Sequence, residues 1–183
     1  QRQMCIRDRS IRFDGKVAIV TGAGGGLGRC HALDLASRGA KVVVNDLGGA
    51  VDGTGGSLSA AEKVVEEIKS AGGEAIANGA SVTDIAQVEE MVKQTMDAWG
   101  RVDILVNNAG ITKDNLLMRM SEDDFDHVLE VNLKSVFNMT HAIQRAFLKQ
   151  RHGSLIHLSS VVGVKGNAGQ SNYAASKAGS SGF

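Results

Sequence analysis

T-G-A-G-G-G-L-G-R, residues 21–29, forms a glycine-rich link between the apolar run V-A-I-V at 17–20 and a segment of helical period. Glycine adopts positive φ without strain and lets a phosphate group approach the backbone closely. The helix that follows offers free N–H groups and the positive end of its dipole to an anion. The stretch therefore predicts a strand, a tight turn that can hold a phosphate group, and a helix.

The glycine spacing leaves two motifs and several ligands open. Gly22, Gly26 and Gly28 fit the pattern G-x-x-x-G-x-G, while Gly22, Gly25 and Gly28 fit G-x-x-G-x-x-G. Glycine-rich turns hold dinucleotides, but they also occur in methyl-donor sites and other nucleotide sites, or only allow tight packing. The remaining motifs have to decide between these ligands.

Short apolar runs alternate along the chain with longer segments of helical period. The apolar runs are V-A-I-V (17–20), K-V-V-V-N (41–45), E-A-I-A (74–77), V-D-I-L-V (102–106) and S-L-I-H-L (154–158). The helical segments are Leu27–Ser37, Ala60–Ser70, Ile85–Trp99 and Glu122–Gln150. This order predicts an α/β fold with a doubly wound, Rossmann-like parallel sheet of about five strands. In such sheets ligands bind beyond the carboxyl ends of the strands.

Charge and cysteine content exclude several classes of partner. The 183 residues include 20 Lys and Arg and 20 Asp and Glu, so no net field attracts nucleic acid or an anionic membrane. The two cysteines, Cys5 and Cys30, lack metal-ligand spacing, which predicts no metal site and favours a reducing compartment. No apolar run approaches the roughly 18 residues of a spanning helix. We expect a small-molecule partner, no nucleic acid and no membrane.

The opening stretch Q-R-Q-M-C-I-R-D-R predicts neither a regular element nor a signal peptide, because it lacks an apolar h-region. We expect residues 1–12 to be a disordered tail or a sequence artefact. No repeat or low-complexity tract divides the remainder, so residues 13–183 are predicted to form one domain.

An acidic residue follows the second apolar run. Asp46, in N-D-L-G-G, lies eighteen residues after Gly28, near the position where a carboxylate accepts hydrogen bonds from the adenosine ribose of a dinucleotide. A carboxylate at this position repels a 2′-phosphate, which favours NAD over NADP. The alternative is an ordinary aspartate in the turn at the end of a strand.

Two further motifs carry polar groups. N-N-A-G (107–110) follows the fourth apolar run, and S-N-Y-A-A-S-K (171–177) holds the only tyrosine, Tyr173, four positions ahead of Lys177. The asparagines can be turn residues, and an aromatic ring can pack on a lysine stem without chemistry. Alternatively, an ammonium one helical turn away favours the phenolate form of the tyrosine and makes it a proton donor near neutral pH.

In their order and spacing, T-G-A-G-G-G-L-G, N-N-A-G and Y-A-A-S-K resemble the short-chain dehydrogenase/reductase family, and N-N-A-G resembles its non-extended branch. The resemblance runs from about Phe13 to the last residue. Residues 111–120 and 166–177 look like the 3-oxoacyl carrier-protein reductases. The stretch V-V-V-N-D-L-G-G (42–49) is similar to the (3R)-hydroxyacyl-CoA dehydrogenase part of peroxisomal multifunctional enzymes.

The resemblance implies a catalytic set of Ser160, Tyr173, Lys177 and Asn132. Ser160 lies thirteen residues before Tyr173, at the expected spacing, and Ser159 is the competing candidate. Alternation along an extended chain turns Ser159 to the other side. Asn132 falls in the apolar stripe of the segment Glu122–Gln150, where a buried amide needs hydrogen bonds. It serves either catalysis or helix packing.

The resemblance also implies the residues that contact a cofactor, NAD or with less preference NADP. These are Thr21, Gly22, Gly26, Leu27, Gly28, Asp46, Ser81, Val82, Asn108, Ala109 and Gly110, together with Tyr173 and Lys177. Ser81 stands where many relatives carry an acidic residue near the adenine, so this contact departs from the family pattern.

The implied function is hydride transfer between a nicotinamide cofactor and a 3-oxoacyl or 3-hydroxyacyl thioester, carried by a carrier protein or CoA. The alternatives are a dehydrogenase of another secondary alcohol or ketone, such as a sugar or steroid, and a non-catalytic nucleotide-binding fragment. Relatives form homo-oligomers, and we expect the same here. Because relatives continue beyond the last residue, we expect the domain 13–183 to be incomplete at its C-terminus. The expected location is cytoplasmic, or peroxisomal in a eukaryote.

Overall fold

A computed structural model describes residues 11–48 and 59–183 of the chain. The prediction for residues 1–12 falls mostly outside these ranges. Of the residues described, none belongs to a helix with the length and apolar character needed to cross a membrane.

Five parallel strands form one sheet in the order β3-β2-β1-β4-β5. The strands are β1 (Val17–Thr21), β2 (Lys41–Asn45), β3 (Glu74–Asn78), β4 (Ile104–Asn107) and β5 (Ser154–His157). The order reverses between β1 and β4, and this switch point opens a crevice beyond the carboxyl ends of the two strands. The predicted Rossmann-like parallel sheet is confirmed.

Helices cover the sheet and build its carboxyl edge. They are α1 (Gly26–Ser37), α2 (Ser59–Ser70), α3 (Ile85–Trp99), α4 (Glu122–Leu129), α5 (Ser135–Gln150), α6 (Val161–Lys165) and α7 (Ser171–Gly182). A 3₁₀ turn spans Leu117–Arg119, and a π-helix spans Glu130–Lys134 between α4 and α5.

The two faces of the sheet bury alternate residues of the central strand. Ala18 and Val20 of β1 belong to an apolar cluster with residues of α1 and α2. Ile19, between them, belongs to a second cluster with residues of α3 and α5. Each fully buried valine or isoleucine contributes about 1.5–3 kcal/mol. Burial on both faces explains why the runs of β1, β2 and β4 are apolar throughout and not alternating.

The fourth strand begins later than its apolar run predicts. The run starts at Val102, but the side chain of Gln150 replaces a neighbouring strand there: its Oε1 accepts from the Val102 N–H at 3.2 Å and its Nε2 donates to the Val102 carbonyl at 2.6 Å. The Asp103 N–H already donates to the Val17 carbonyl at 2.8 Å, and the regular register with β1 begins at Ile104, opposite Ala18.

The segment predicted as one helix, Glu122–Gln150, is interrupted by the π-helix at Glu130–Lys134. A π-helix closes its hydrogen bonds between residues five apart, so it is wider than an α-helix. Asn132 lies in the middle of this π-helix and is buried. Neither proline nor glycine marks the interruption in the sequence. The polar partners of Asn132, described below, provide its physical reason.

The opposite, amino-terminal edge of the sheet is held by a buried carboxylate. Asp103 accepts hydrogen bonds from the Val17 N–H at 3.0 Å and from Lys16 Nζ at 3.2 Å. Arg101 donates to it through two nitrogens, at 2.8 and 2.6 Å. Burial alone raises the pKa of Asp103, but the hydrogen bonds from Arg101, Val17 and Lys16 outweigh burial and lower the pKa below its ordinary value.

Replacing this carboxylate, Asp103→Asn, is expected to lower the free energy of unfolding at pH 7 by about 1.5–3 kcal/mol, the range for hydrogen bonds to a charged group. Because the folded-state pKa is depressed, the stabilisation is present above the ordinary value near ~3.9 and is lost as pH falls through the folded-state pKa. Urea unfolding between pH 3 and 7 measures both effects. Asp97→Asn, at an exposed position of α3, is the control. Equal stability of the two variants would contradict the prediction.

Candidate active site

The glycine-rich turn and the N-N-A-G loop interlock at the switch point. The side-chain amide of Asn108 donates from Nδ2 to the carbonyls of Thr21, at 2.9 Å, and Gly22, at 3.0 Å. A Cβ at Gly28 would lie 2.1 Å from the Gly22 oxygen and 2.5 Å from Asn108 Nδ2. Gly28 must therefore be glycine for the amide to reach the turn.

The Thr21 hydroxyl holds the same loop from the other side. It accepts from the N–H groups of Asn108 and Ala109, both at 3.0 Å, and donates to the Val106 carbonyl at 3.3 Å. Thr21 is buried, so its side chain positions the Asn108–Ala109 loop and is not turned towards a ligand. The predicted cofactor contact of Thr21 is therefore not one that its hydroxyl can make in this arrangement.

Helix α1 presents an uncapped N-terminus beside this interlock. Its N-cap residue is Gly25, and no side chain of the described residues caps it. Gly26 has φ of 51°, in the left-handed region, and Leu27 is exposed in the first turn. The N–H groups of this end are suited to an anion such as a phosphate.

Asp46 lies at the end of β2 and closes the other side of the glycine-rich turn. One carboxylate oxygen accepts from the Gly24 N–H at 2.7 Å, and the other accepts from the Gly48 N–H at 2.6 Å. A Cβ at Gly24 would lie 2.8 Å from the carboxylate. Arg29, the basic residue of the glycine-rich stretch, is paired with Glu67 of α2. The Asp46 carboxylate therefore lies at the end of β2, and Arg29 forms its ion pair with Glu67 and not with Asp46.

Ser81 and Val82 belong to the loop after β3. The loop leaves β3 at Asn78, the last residue of the strand, whose carbonyl accepts from the Asp46 N–H at 3.0 Å. The Ser81 hydroxyl is within 2.8 Å of the Thr83 hydroxyl, and Val82 is buried with only 8% of its surface exposed. These two predicted cofactor residues thus lie on the same side of the switch point as Asp46.

Asn132 makes polar contacts with two neighbouring segments. Its Oδ1 accepts from the Ile111 N–H at 2.8 Å, and its Nδ2 donates to the Ile111 carbonyl at 3.0 Å. Nδ2 also donates to the hydroxyl of Ser176 on α7 at 3.1 Å. Every polar atom of the buried amide is therefore satisfied, and the π-helix is tied both to the loop after N-N-A-G and to α7.

Gly110 lies between Asn132 and Lys177. A Cβ at this position would lie 3.1 Å from Asn132 Oδ1 and 3.7 Å from Lys177 Nζ. The last glycine of N-N-A-G therefore allows an amide and an ammonium to approach one stretch of backbone. The φ of Gly110 is not in the left-handed region, so backbone conformation does not require a glycine here. The close approach of Asn132 and Lys177 does.

Tyr173 and Lys177 lie on the same face of α7. Lys177 Nζ is 5.7 Å from the centroid of the Tyr173 ring and donates to the Leu158 carbonyl at 2.7 Å. Lys177 is only 6% exposed, and this burial lowers its pKa below the ordinary value. The Tyr173 hydroxyl makes no hydrogen bond to the part of the chain that the structure describes. A buried lysine beside an unengaged phenol can support proton transfer.

The adjacent serines have different partners. Ser160 is the N-cap of α6, where its Oγ accepts from the Val162 N–H at 3.2 Å, and its hydroxyl donates to none of the described residues. Ser159 instead donates to the Lys177 carbonyl at 2.8 Å and contacts the Ser181 hydroxyl. Ser159 is committed to anchoring α7, whereas the Ser160 hydroxyl proton remains available.

Packing of α6 on α7 brings the Ser160 segment to the helix of Tyr173 and Lys177. A Cβ at Gly163 would lie 2.8 Å from the Ala178 nitrogen, so the helices approach at backbone distance. The structure thus gathers the predicted residues from the turn after β1, the loops after β3 and β4, the π-helix and the α6–α7 pair.

Sequence analysis missed Ser176, whose hydroxyl accepts from the Asn132 amide and donates to the Tyr173 carbonyl at 2.8 Å. Its place within Y-A-A-S-K, three residues after Tyr173, was the available signal.

Comparisons with known proteins identify the family of the chain. The profile of the family described as short chain dehydrogenase matches residues 16–183. The chain is 52% identical over 176 residues to peroxisomal multifunctional enzyme type 2 of Drosophila melanogaster, covering 96% of this chain and 29% of that protein. It is 46% identical over 173 residues to the 3-oxoacyl-(acyl-carrier-protein) reductase of Escherichia coli, covering 94% of this chain and 66% of the relative.

A solved structure gives the same result. The crystal structure of a short chain dehydrogenase from Mycobacterium avium superposes with a TM-score of 0.81 at 47% identity, covering 91% of this chain and 61% of that one. The chain thus spans less than two thirds of each of these three proteins. With a profile match over residues 16–183 and this shared fold, the chain belongs to the short chain dehydrogenase family.

Proposed function

We propose that this protein is an oxidoreductase that transfers hydride between NAD(H) and a 3-oxoacyl or 3-hydroxyacyl thioester. One observation carries the proposal: the buried Lys177 ammonium, hydrogen-bonded to the Leu158 carbonyl, lies 5.7 Å from the ring of Tyr173. The names of two relatives, a 3-oxoacyl-(acyl-carrier-protein) reductase and a peroxisomal multifunctional enzyme, support the substrate class.

The residues around the switch point fit a nicotinamide dinucleotide. A Cβ at Gly28 or Gly24 would fill the turn beside the α1 N-terminus, so the cradle depends on glycine. We assign the phosphates to this turn, with Gly22, Gly26, Leu27 and Gly28. Asp46 is assigned to the adenosine ribose, and Ser81 and Val82 to the adenine. Asn108, Ala109, Gly110, Tyr173 and Lys177 are assigned to the nicotinamide end.

In the proposed reduction, the chain's own side chains handle the proton and the carbonyl oxygen. When bound, the reduced nicotinamide supplies the hydride that the carbonyl carbon accepts. Ser160 donates a hydrogen bond to the carbonyl oxygen, and Tyr173 gives that oxygen its phenolic proton. Lys177 stabilises the phenolate that remains, while its bond to Leu158 keeps Nζ in place. In the oxidation direction Tyr173 takes the proton from the hydroxyl of the 3-hydroxyacyl group.

Assembly and location remain predictions. Phe137 and Leu148 of α5 are 51% and 74% exposed, and this apolar surface supports a homo-oligomer formed through α5. A cytoplasmic location, or a peroxisomal one in a eukaryote, is proposed from the same relatives.

Removing the proposed proton donor, Tyr173→Phe, is expected to lower kcat for 3-oxoacyl thioester reduction by about 100-fold or more, because general acid catalysis contributes this much. Ring volume is nearly unchanged, so the Kd for NADH should stay within about twofold. NADH oxidation is measured with a panel of 3-oxoacyl thioesters and unrelated ketones. A parent protein active only on the unrelated ketones would overturn the substrate class, and a Tyr173→Phe variant keeping more than a tenth of kcat would overturn the donor.

The two serines provide a matched pair of variants. Ser160→Ala is expected to lower kcat/KM about 100-fold or more, as loss of one hydrogen-bond donor to a developing oxyanion does. Ser159→Ala removes the contact with the Lys177 carbonyl, so it should lower the melting temperature but change kcat by less than about threefold. Steady-state kinetics and thermal melts on both variants test the assignment. The reverse pattern would identify Ser159 as the catalytic serine.

Cofactor preference is expected to follow from Asp46. The parent should bind NADH at least about tenfold more tightly than NADPH, because the carboxylate repels a 2′-phosphate. Asp46→Asn keeps the shape but removes the charge, and should lower the Kd for NADPH more than that for NADH. Fluorescence titration measures both constants, and Asp97→Asn controls for net charge. Equal affinity of the parent for the two cofactors would contradict this prediction.

A further inference from the structure

Asn138 is a buried amide that none of the sequence motifs singles out. It lies on α5 and is only 3% exposed. Its Nδ2 donates to two consecutive carbonyls of the loop after β3, those of Val82 at 3.0 Å and Thr83 at 3.2 Å. One side chain therefore ties α5 to the backbone of the loop that carries Ser81 and Val82.

The same loop is held from three other elements. Asn45 of β2 donates from Nδ2 to the Ala80 carbonyl at 2.9 Å. Asn78 at the end of β3 accepts the Ala80 N–H at 2.9 Å, and Gln87 of α3 accepts the Ser81 N–H at 2.9 Å. In regular structure the backbone would supply these partners, whereas here side chains supply them. The loop's position is thus set by tertiary contacts, and Asn138 alone holds its far end from the α5 side among the described residues.

The backbone that Asn138 holds has an unused donor. The Val82 carbonyl accepts from Asn138, while the Val82 N–H donates to none of the residues that the structure describes. The loop begins directly after Asn78, the last residue of β3, whose carbonyl accepts from the Asp46 N–H. A ring nitrogen of a base bound next to Asp46 would accept from such an N–H, provided the peptide is held in place.

We infer that Asn138 is a positioning residue for the adenine end of the cofactor: its amide fixes the Val82 and Thr83 carbonyls and thereby the orientation of the Val82 N–H. This inference rests on the proposed function, since it assumes a dinucleotide bound along the switch point. Asn138 lies on a different element from the glycine-rich turn and from Asp46. It acts on binding of the adenine half and leaves the proton-transfer residues unaffected.

The test compares a whole cofactor with one that lacks the adenine half. Asn138→Leu keeps the side-chain volume and removes both hydrogen bonds. Fluorescence titration of the variant should show a Kd for NADH raised about tenfold, with the Kd for reduced nicotinamide mononucleotide within about twofold of the parent. The kcat at saturating NADH should also stay within about twofold. Where Asn138→Leu gives no folded protein, Asn138→Asp is titrated in its place, because its carboxylate is repelled by the same two carbonyls.

Ile143→Val is the matched control. Ile143 is fully buried in the same apolar cluster as Val82, further along α5 towards Gln150. This variant should lower the melting temperature without changing the Kd for NADH. Asn138 variants that lose stability but bind NADH like the parent, or that weaken both ligands equally, would overturn the inference. A parent that binds neither NADH nor the mononucleotide would overturn the proposed function itself, and the inference with it.

Discussion

The bond network between Thr21, Asn108 and the glycine-rich turn is the constraint on which the rest of the carboxyl edge depends. β1 and β4 are neighbours in space but are separated by more than eighty positions in the chain, and Asn108 joins their ends with an amide that donates to two carbonyls. The approach is possible only because Gly28 has no side chain. Any larger residue there would separate the turn from the loop and widen the switch point where the candidate site lies.

The π-helix connects this network to α7, the helix of Tyr173 and Lys177. A regular helix through residues 122–150 would carry Asn132 along the apolar stripe with its amide unsatisfied, at a cost of about 1–3 kcal/mol. The π-helix places it instead between the backbone of Ile111 and the Ser176 hydroxyl. Ser180 of α7 adds a bond to the Asn132 carbonyl at 3.3 Å. A locally unfavourable helix geometry is thus offset by hydrogen bonds that join three segments, as is common for π-helices at functional sites.

The two edges of the sheet use charge differently. At the amino-terminal edge, Asp103 is surrounded by cationic partners, whose hydrogen bonds and ion pairs outweigh the cost of burying the carboxylate. At the carboxyl edge, the ammonium of Lys177 is buried against a carbonyl and an aromatic ring, and burial lowers its pKa. No carboxylate among the described residues pairs with it. A buried charge without an opposite charge is costly for stability, which is the pattern expected where a side chain is kept for chemistry.

The sequence by itself determined the sheet, the order of its elements and the family. Strands buried on both faces are apolar throughout, and glycine, asparagine and tyrosine motifs recur after them at fixed spacing, so local pattern was sufficient. Alternation also predicted that Ser159 and Ser160 point to different sides, and the two hydroxyls have different partners. Only the tertiary structure decided the late start of β4 at Ile104, the π-helix at Glu130–Lys134, and the contacts of Ser176 and Asn138. Each of these depends on a side chain that forms hydrogen bonds with a residue far away in the sequence. Hydrophobic periodicity carries no information about which distant carbonyl, hydroxyl or N–H group a side chain will reach.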